Sequence, residues 1–309
     1  MGFFSKLEGR MDLLNTILCL GLDPRVEQVD KFAETEEFRR LFLENIKNND
    51  NSYKKDESST YVRLKLYCLH ILNNTLDHVC SVKPNFAFFL AHGTEGVQVL
   101  LEVCHHLREK NVPILLDCKL GDIGSTTDYY KKFVFCLLKA DACTVNSFMG
   151  TDVLRSFCTD SSGNFVNDVF VLAKCSNPSS RELQSALLHD EVPLYMHLID
   201  QTESLGHKFG YVVGSNCVDD IKRIRAKYDS YLLVPGVGSQ GGDLEQTVKY
   251  GLNKNKRGLL VPISRAITDT DVSLSPDTQY SFSSHNCLFF YFRIQGKVPF
   301  IGKMKLISF

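Results

Sequence analysis

The sequence predicts a (β/α)8 TIM barrel of the α/β class, on three observations. Eight short apolar runs recur along the chain, helical spacing fills most of the intervals between them, and polar residues gather at the carboxyl ends of the runs. A doubly wound open sheet is the alternative that the alternation alone leaves open.

The opening "MGFFSKLEGRMDLL" reads as an amphipathic first helix without the long apolar core of a secretory signal. The strand candidates begin with "TILCLGLD", ending at Asp23, then "VCSVKPNFAFF" at 79–89, "PILLDCKL" at 113–120 and "ACTVNSF" at 142–148. They continue with "VFVLAKCS" at 169–176, "GYVVGS" at 210–215, "YLLVPGVG" at 231–238 and "GLLVPIS" at 258–264. Between them Val97, Leu100, Cys104 and Leu107 fall at helix spacing, as do Tyr130, Phe133, Leu137 and Ala140, and again Val218, Ile221, Ile224 and Tyr228. Residues 24–78 form a long first connection with a helical segment "EEFRRLFLENIK" and a polar stretch "NNDNSYKKDESS" expected to be a mobile surface loop. One barrel domain over 1–270 and a separate tail over 271–309 are expected.

With 44% hydrophobic residues in 309, the chain can bury a full core. A net charge of −1 without a Lys/Arg run points away from nucleic acid and from an anionic membrane surface. No apolar run reaches the roughly 18 residues of a membrane span. The eleven cysteines are scattered, with no CxxC pair and no HExxH, so they read as reduced, small core residues of a cytoplasmic protein rather than as a disulfide framework or a zinc site.

The stretch "LLDCKLGDIGST" carries the chemistry. A run apolar enough for a buried strand holds Asp117 and Lys119, which alternation points to the same face, and Asp122 follows just past its end. Charges inside a fold cost several kcal/mol or more unless they are paired, so these serve either as an ion pair closing the strand or as catalytic groups. Asp122 alone also fits a helix cap. Asp23, Lys83, Asn85, Ser176 and Arg265 fall at the same end of their strands, where barrels of this kind place chemistry.

In order and spacing, "LGLDP", "VKPNFAFF", "LLDCKLGDIGST", "TVNSFMG", "VLAKCSNPSS", "GYVVGSN", "PGVGSQGGD" and "PISRAIT" resemble stand-alone orotidine 5′-phosphate decarboxylases over roughly residues 14–270. The resemblance implies conversion of orotidine 5′-monophosphate to uridine 5′-monophosphate and carbon dioxide, with no metal or organic cofactor. It makes Lys119 the proton donor to the ring carbon, kept protonated by Asp117 and Asp122, in an alternating network that Lys83 extends. Asp117 would lie against the substrate carboxylate. Asp23 and Lys83 would meet the ribose, Asn85 the sugar or base, Ser176 the pyrimidine edge, and Gln240 both phosphate and base. The phosphate falls to Arg265 and to the turns containing Gly214, Gly238 and Ser264. It also implies a homodimer with shared sites, Asp122 and Thr126 reaching the partner, and allows association with orotate phosphoribosyltransferase.

Three departures stand out. The loop "SQGGD" is short and lacks a tyrosine that some members fold over the phosphate, Ser264 replaces a frequent glycine, and the Phe-rich tail after "SRAITDTDVSLSPDTQ" does not read as the charged amphipathic helix of the family. The competing functions are a Mg²⁺-dependent phosphosugar barrel, either a keto-sugar phosphate decarboxylase or a hexulose-phosphate synthase, and a non-catalytic barrel with an altered C-terminus. The first would require a further carboxylate where this chain has Lys83, Pro84 and Asn85.

Overall fold

The computed structural model describes residues 2–47, 56–188, 190–237 and 242–268. Its strands are β1 (Leu18–Leu22), β2 (Ser81–Pro84), β3 (Leu115–Leu120), β4 (Ala142–Val145), β5 (Asp168–Lys174), β6 (Gly210–Val213), β7 (Tyr231–Leu233) and β8 (Leu259–Ile263). They are parallel and follow the order β2-β1-β8-β7-β6-β5-β4-β3. Two isolated parallel bridges, Val82 to Ile114 and Asn85 to Asp117, join the outer strands. This is the (β/α)8 barrel, nearly closed, and not the open sheet.

Side-chain alternation separates two cores. Leu20, Val82, Leu116, Cys143, Val171 and Tyr211 face outward and pack with the surrounding helices. Cys19, Leu115, Ala142 and Leu260 face inward and form a second cluster with Phe3, Phe4, Leu7 and Met11. Those four belong to α1 (Phe3–Leu14), the expected first helix, which closes the amino end of the barrel. Phe4 stacks on Tyr231 at 5.2 Å, and Phe3 meets Phe170 edge-on at 5.8 Å. Two residues further along the inward faces come Gly21, Asp117, Thr144 and Pro262, so the apolar plug ends where the polar end begins.

The first connection contains more structure than its composition suggests: α2 (Val26–Ala33), α3 (Glu36–Lys47) and α4 (Thr60–Thr75). The last of these buries Tyr61, Val62, Leu64, Leu66, Tyr67, Cys68, Ile71 and Leu72, because it is the barrel helix between β1 and β2 and packs between α2 and α3 on one side and the helix after β2, Gly93–Glu109, on the other. Residues 48–55 of the polar stretch lie outside the described residues. The strand expected over 79–89 stops at Pro84, and "FAFFL" becomes the short α5 (Phe86–Leu90), capped by Asn85 Oδ1, which accepts from the Ala87 amide at 3.3 Å. The remaining helices are α6 (Gly93–Glu109), α7 (Gly124–Lys131), α8 (Thr151–Cys158), α9 (Ser180–Leu183), α10 (Leu194–Glu203), α11 (Val218–Arg225), α12 (Leu244–Gly251) and α13 (Arg265–Thr268). The tail assigned to 271–309 lies outside the described residues.

Candidate active site

Asp117 is the hub of the carboxyl end. Lys83 Nζ donates to its Oδ2 at 2.7 Å across the seam between β2 and β3, and Lys119 Nζ donates to its Oδ1 at 2.5 Å. The two lysines are not equivalent: the Lys83 side chain is 7% exposed and that of Lys119 49%. Burial works against the charge of Asp117, but Lys83 and then Lys119 outweigh it and hold its pKa below the usual carboxylate range. Burial likewise works against the Lys83 ammonium, and Asp117 followed by Asp23 outweigh it, raising its pKa. The cluster therefore holds a buried cation, a buried anion and a second cation whose head is open to a ligand.

Lys119 owes its position to a local break in the strand. Its φ is +47°, in the left-handed region that side chains other than glycine seldom adopt, and the register between β3 and β4 shifts between Leu116 and Leu120. The Thr144 hydroxyl on β4 holds this geometry. It accepts from the amides of Cys118 at 3.0 Å and Lys119 at 2.9 Å and donates to Asp117 Oδ1 at 3.0 Å, which uses all three of its hydrogen-bonding positions. Sequence reading missed Thr144. The available signal was a hydroxyl on the inward face of the strand following "DCKL".

Beside the cluster a cavity of about 230 Å³ is lined by Asp23, Arg25, Lys83, Asn85, Phe88, Ser264 and Arg265, with Gly21 and residues 235–237 also at its wall. Ser264 Oγ donates to Asp23 Oδ2 at 2.7 Å, giving the residue that replaces glycine a definite partner. Gly214 serves by size: a Cβ there would lie 2.8 Å from the Ser176 Cα, and its amide donates to the Lys174 carbonyl at 2.8 Å. Ser176 and Gly214 thus pack together at the tips of β5 and β6. Gly238 and Gln240 lie outside the described residues. Asp122 takes no part in the lysine cluster of its own chain: its Oδ1 accepts from the Ile123 amide at 2.8 Å, and Thr126 is exposed on α7. Among the described residues no group of three or more His, Cys, Asp or Glu is placed to hold a metal ion, and no helix is long and apolar enough to cross a membrane.

Residues 16–273 match the family model described as orotidine 5′-phosphate decarboxylase / HUMPS family. The chain belongs to that family. Curated orotidine 5′-phosphate decarboxylases from Roseiflexus castenholzii and Thermomicrobium roseum are 34% and 33% identical to it, over 88% of this chain and 90% and 89% of their own lengths. Among solved structures, orotidine 5′-monophosphate decarboxylase of Plasmodium berghei superposes with a TM-score of 0.78 at 32% identity, covering 94% of this chain and 99% of the other. The UMP synthase of Leishmania donovani superposes at 0.72 and 28% identity, over 96% of this chain and 56% of that longer one. This member of the orotidine 5′-phosphate decarboxylase family is an enzyme, a carboxy-lyase, and the described cluster is its candidate site.

Proposed function

We propose that the chain decarboxylates orotidine 5′-monophosphate to uridine 5′-monophosphate at the cluster of Lys83, Asp117 and Lys119, with Lys119 as proton donor and without metal or organic cofactor. The bond between the ring carbon and the carboxylate breaks, its electron pair stays on the ring, and carbon dioxide leaves. Lys119 then transfers a proton from Nζ to that carbon. A cation already in place stabilises the developing charge without reorganising at the moment of reaction. The observation that carries the reading is one carboxylate shared between a buried lysine and an accessible one. Because both oxygens of Asp117 accept from ammonium groups, that carboxylate is matched to lysines rather than to a metal ion.

The remaining assignments follow the same logic. Asp23 and Lys83 serve the ribose, Asn85 the sugar or base, Ser176 the pyrimidine edge, and Arg265 with the turns at Gly214 and Ser264 the phosphate; the parts of Gln240 and Gly238 at phosphate and base rest on the family resemblance alone. A homodimer with shared sites is supported by Asp122, which has no ion pair in its own chain among the described residues, and by Ile123 and Tyr129, 64% and 69% exposed beside it. The ten cysteines among the described residues are all free thiols, as suits a reducing cytoplasm. Association with orotate phosphoribosyltransferase rests on the family resemblance alone. Loss of absorbance of orotidine 5′-monophosphate tests the activity directly. The parent turns it over with or without a chelator, and Lys119→Ala folds, binds uridine 5′-monophosphate and loses turnover by many orders of magnitude. Residual activity within about tenfold, a barrier change of about 1.4 kcal/mol, would sink Lys119 as the acid.

A further inference from the structure

Two polar atoms in the cavity are buried with no hydrogen-bond partner among the described residues, and they are complementary: Asp23 Oδ1, an acceptor, and Arg25 Nη1, a donor. Two residues apart in the chain and lining the same cavity, they do not pair with each other. Each is held by something else. The other oxygen of Asp23 is taken by the Ser264 hydroxyl. The Arg25 carbonyl accepts from the amides of Gln28 and Val29 at the start of α2, which fixes its backbone, while its guanidinium lies 4.9 Å from the centre of the Phe88 ring. Among the described residues no carboxylate lies within ion-pair distance of it. A buried guanidinium donor left without a partner among the described residues is costly, and at the wall of a cavity it is placed to meet an acceptor that a bound ligand brings.

We propose that Arg25 is a ligand-binding residue whose guanidinium donates to an anionic phosphate oxygen, next to the sugar hydroxyl already assigned to Asp23. A sugar phosphate presents that combination of hydroxyl donor and anionic acceptor side by side. The proposal deepens the nucleotide reading given above and rests on it. It adds a second arginine to the phosphate assignments, in which Arg265 was the one arginine.

The test is calorimetric titration of the full chain, Arg25→Ala and Arg25→Lys with uridine 5′-monophosphate and with ribose 5-phosphate, alongside turnover of orotidine 5′-monophosphate. Arg25→Ala weakens binding of both phosphorylated ligands about tenfold or more, and Arg25→Lys recovers part of the loss. Should Arg25→Ala unfold, Arg25→Gln retains a polar side chain of intermediate length while removing the charge and the guanidinium fork. Affinity within about twofold of the parent for both ligands, in a folded variant, overturns the role of Arg25 whatever the turnover result. A parent that binds ribose 5-phosphate but leaves orotidine 5′-monophosphate intact would overturn the decarboxylase reading, and a loss of ribose 5-phosphate binding in Arg25→Ala would still support the arginine.

Discussion

Replacing Asp117 by Asn removes the carboxylate shared by Lys83 and Lys119 while keeping the size of the side chain. The Lys119 side chain is 49% exposed, so water screens what it loses, about 0–1 kcal/mol. The Lys83 side chain is 7% exposed and bonded at 2.7 Å, and removing one member of a buried pair costs about 3–5 kcal/mol because the other charge stays buried. Nearly all of an expected destabilisation of about 3–5 kcal/mol at pH 7 therefore arises at Lys83. The pH dependence carries the sign. In the parent, the lowered pKa of Asp117 contributes stability that is complete above the unfolded value near about 3.9 and is lost as pH falls through the folded one. The raised pKa of Lys83 contributes stability that is complete below about 10.4 and is lost as pH rises through its folded value. In Asp117→Asn the largest opposition to burial at Lys83 is gone and Asp23 is the main one left, so its folded pKa falls and the variant gains stability as pH climbs toward about 9 to 10. Urea unfolding followed by circular dichroism at acid, neutral and alkaline pH reads both effects. A double variant, Lys83→Met with Asp117→Leu, recovers most of the loss because it leaves no orphaned charge between them. A single-variant loss below about 1 kcal/mol, or a double variant no more stable than the single, would refute the buried-pair argument.

Three further outcomes are expected. Thr144→Val, of nearly the same shape, strips hydrogen bonds from two amides and from Asp117, so it lowers stability by about 1–3 kcal/mol and reduces turnover through the left-handed Lys119 backbone, with Thr144→Ser restoring both; unchanged kinetics would remove Thr144 from the site. Arg265→Ala slows reaction of the phosphorylated substrate far more than that of the bare nucleoside, and equal losses would deny it the phosphate. Mixing the separately inactive Lys119→Ala and Asp122→Ala chains restores activity toward about a quarter of the parent value if sites are shared in a two-fold dimer, since a mixed dimer holds one intact site; no recovery after confirmed subunit exchange would keep each Asp122 in its own barrel.

The barrel was legible in the sequence because apolar period and burial are local properties. A strand covered on both faces has to be apolar throughout, a helix against it has to show a stripe, and eight such pairs leave few architectures. The charges in "DCKLGD" were legible for the same reason, as exceptions to a pattern that would otherwise exclude them. What only the tertiary structure decided concerns partners distant in sequence. Lys83 reaches Asp117 because two isolated bridges set β2 beside β3, a register that neither strand carries by itself. Strict alternation predicts that Asp117 and Lys119 share a face, and they do meet, but through a left-handed backbone conformation at Lys119 that a threonine on a third strand holds in place. Asp122, one short turn further on, left that cluster, and Arg25, an ordinary charge beside a proline in the sequence, came to lie with a buried donor that has no partner among the described residues. A pattern along one strand reports how often a side chain meets the core; which group it meets depends on closure of the barrel, and closure is a property of all eight strands together.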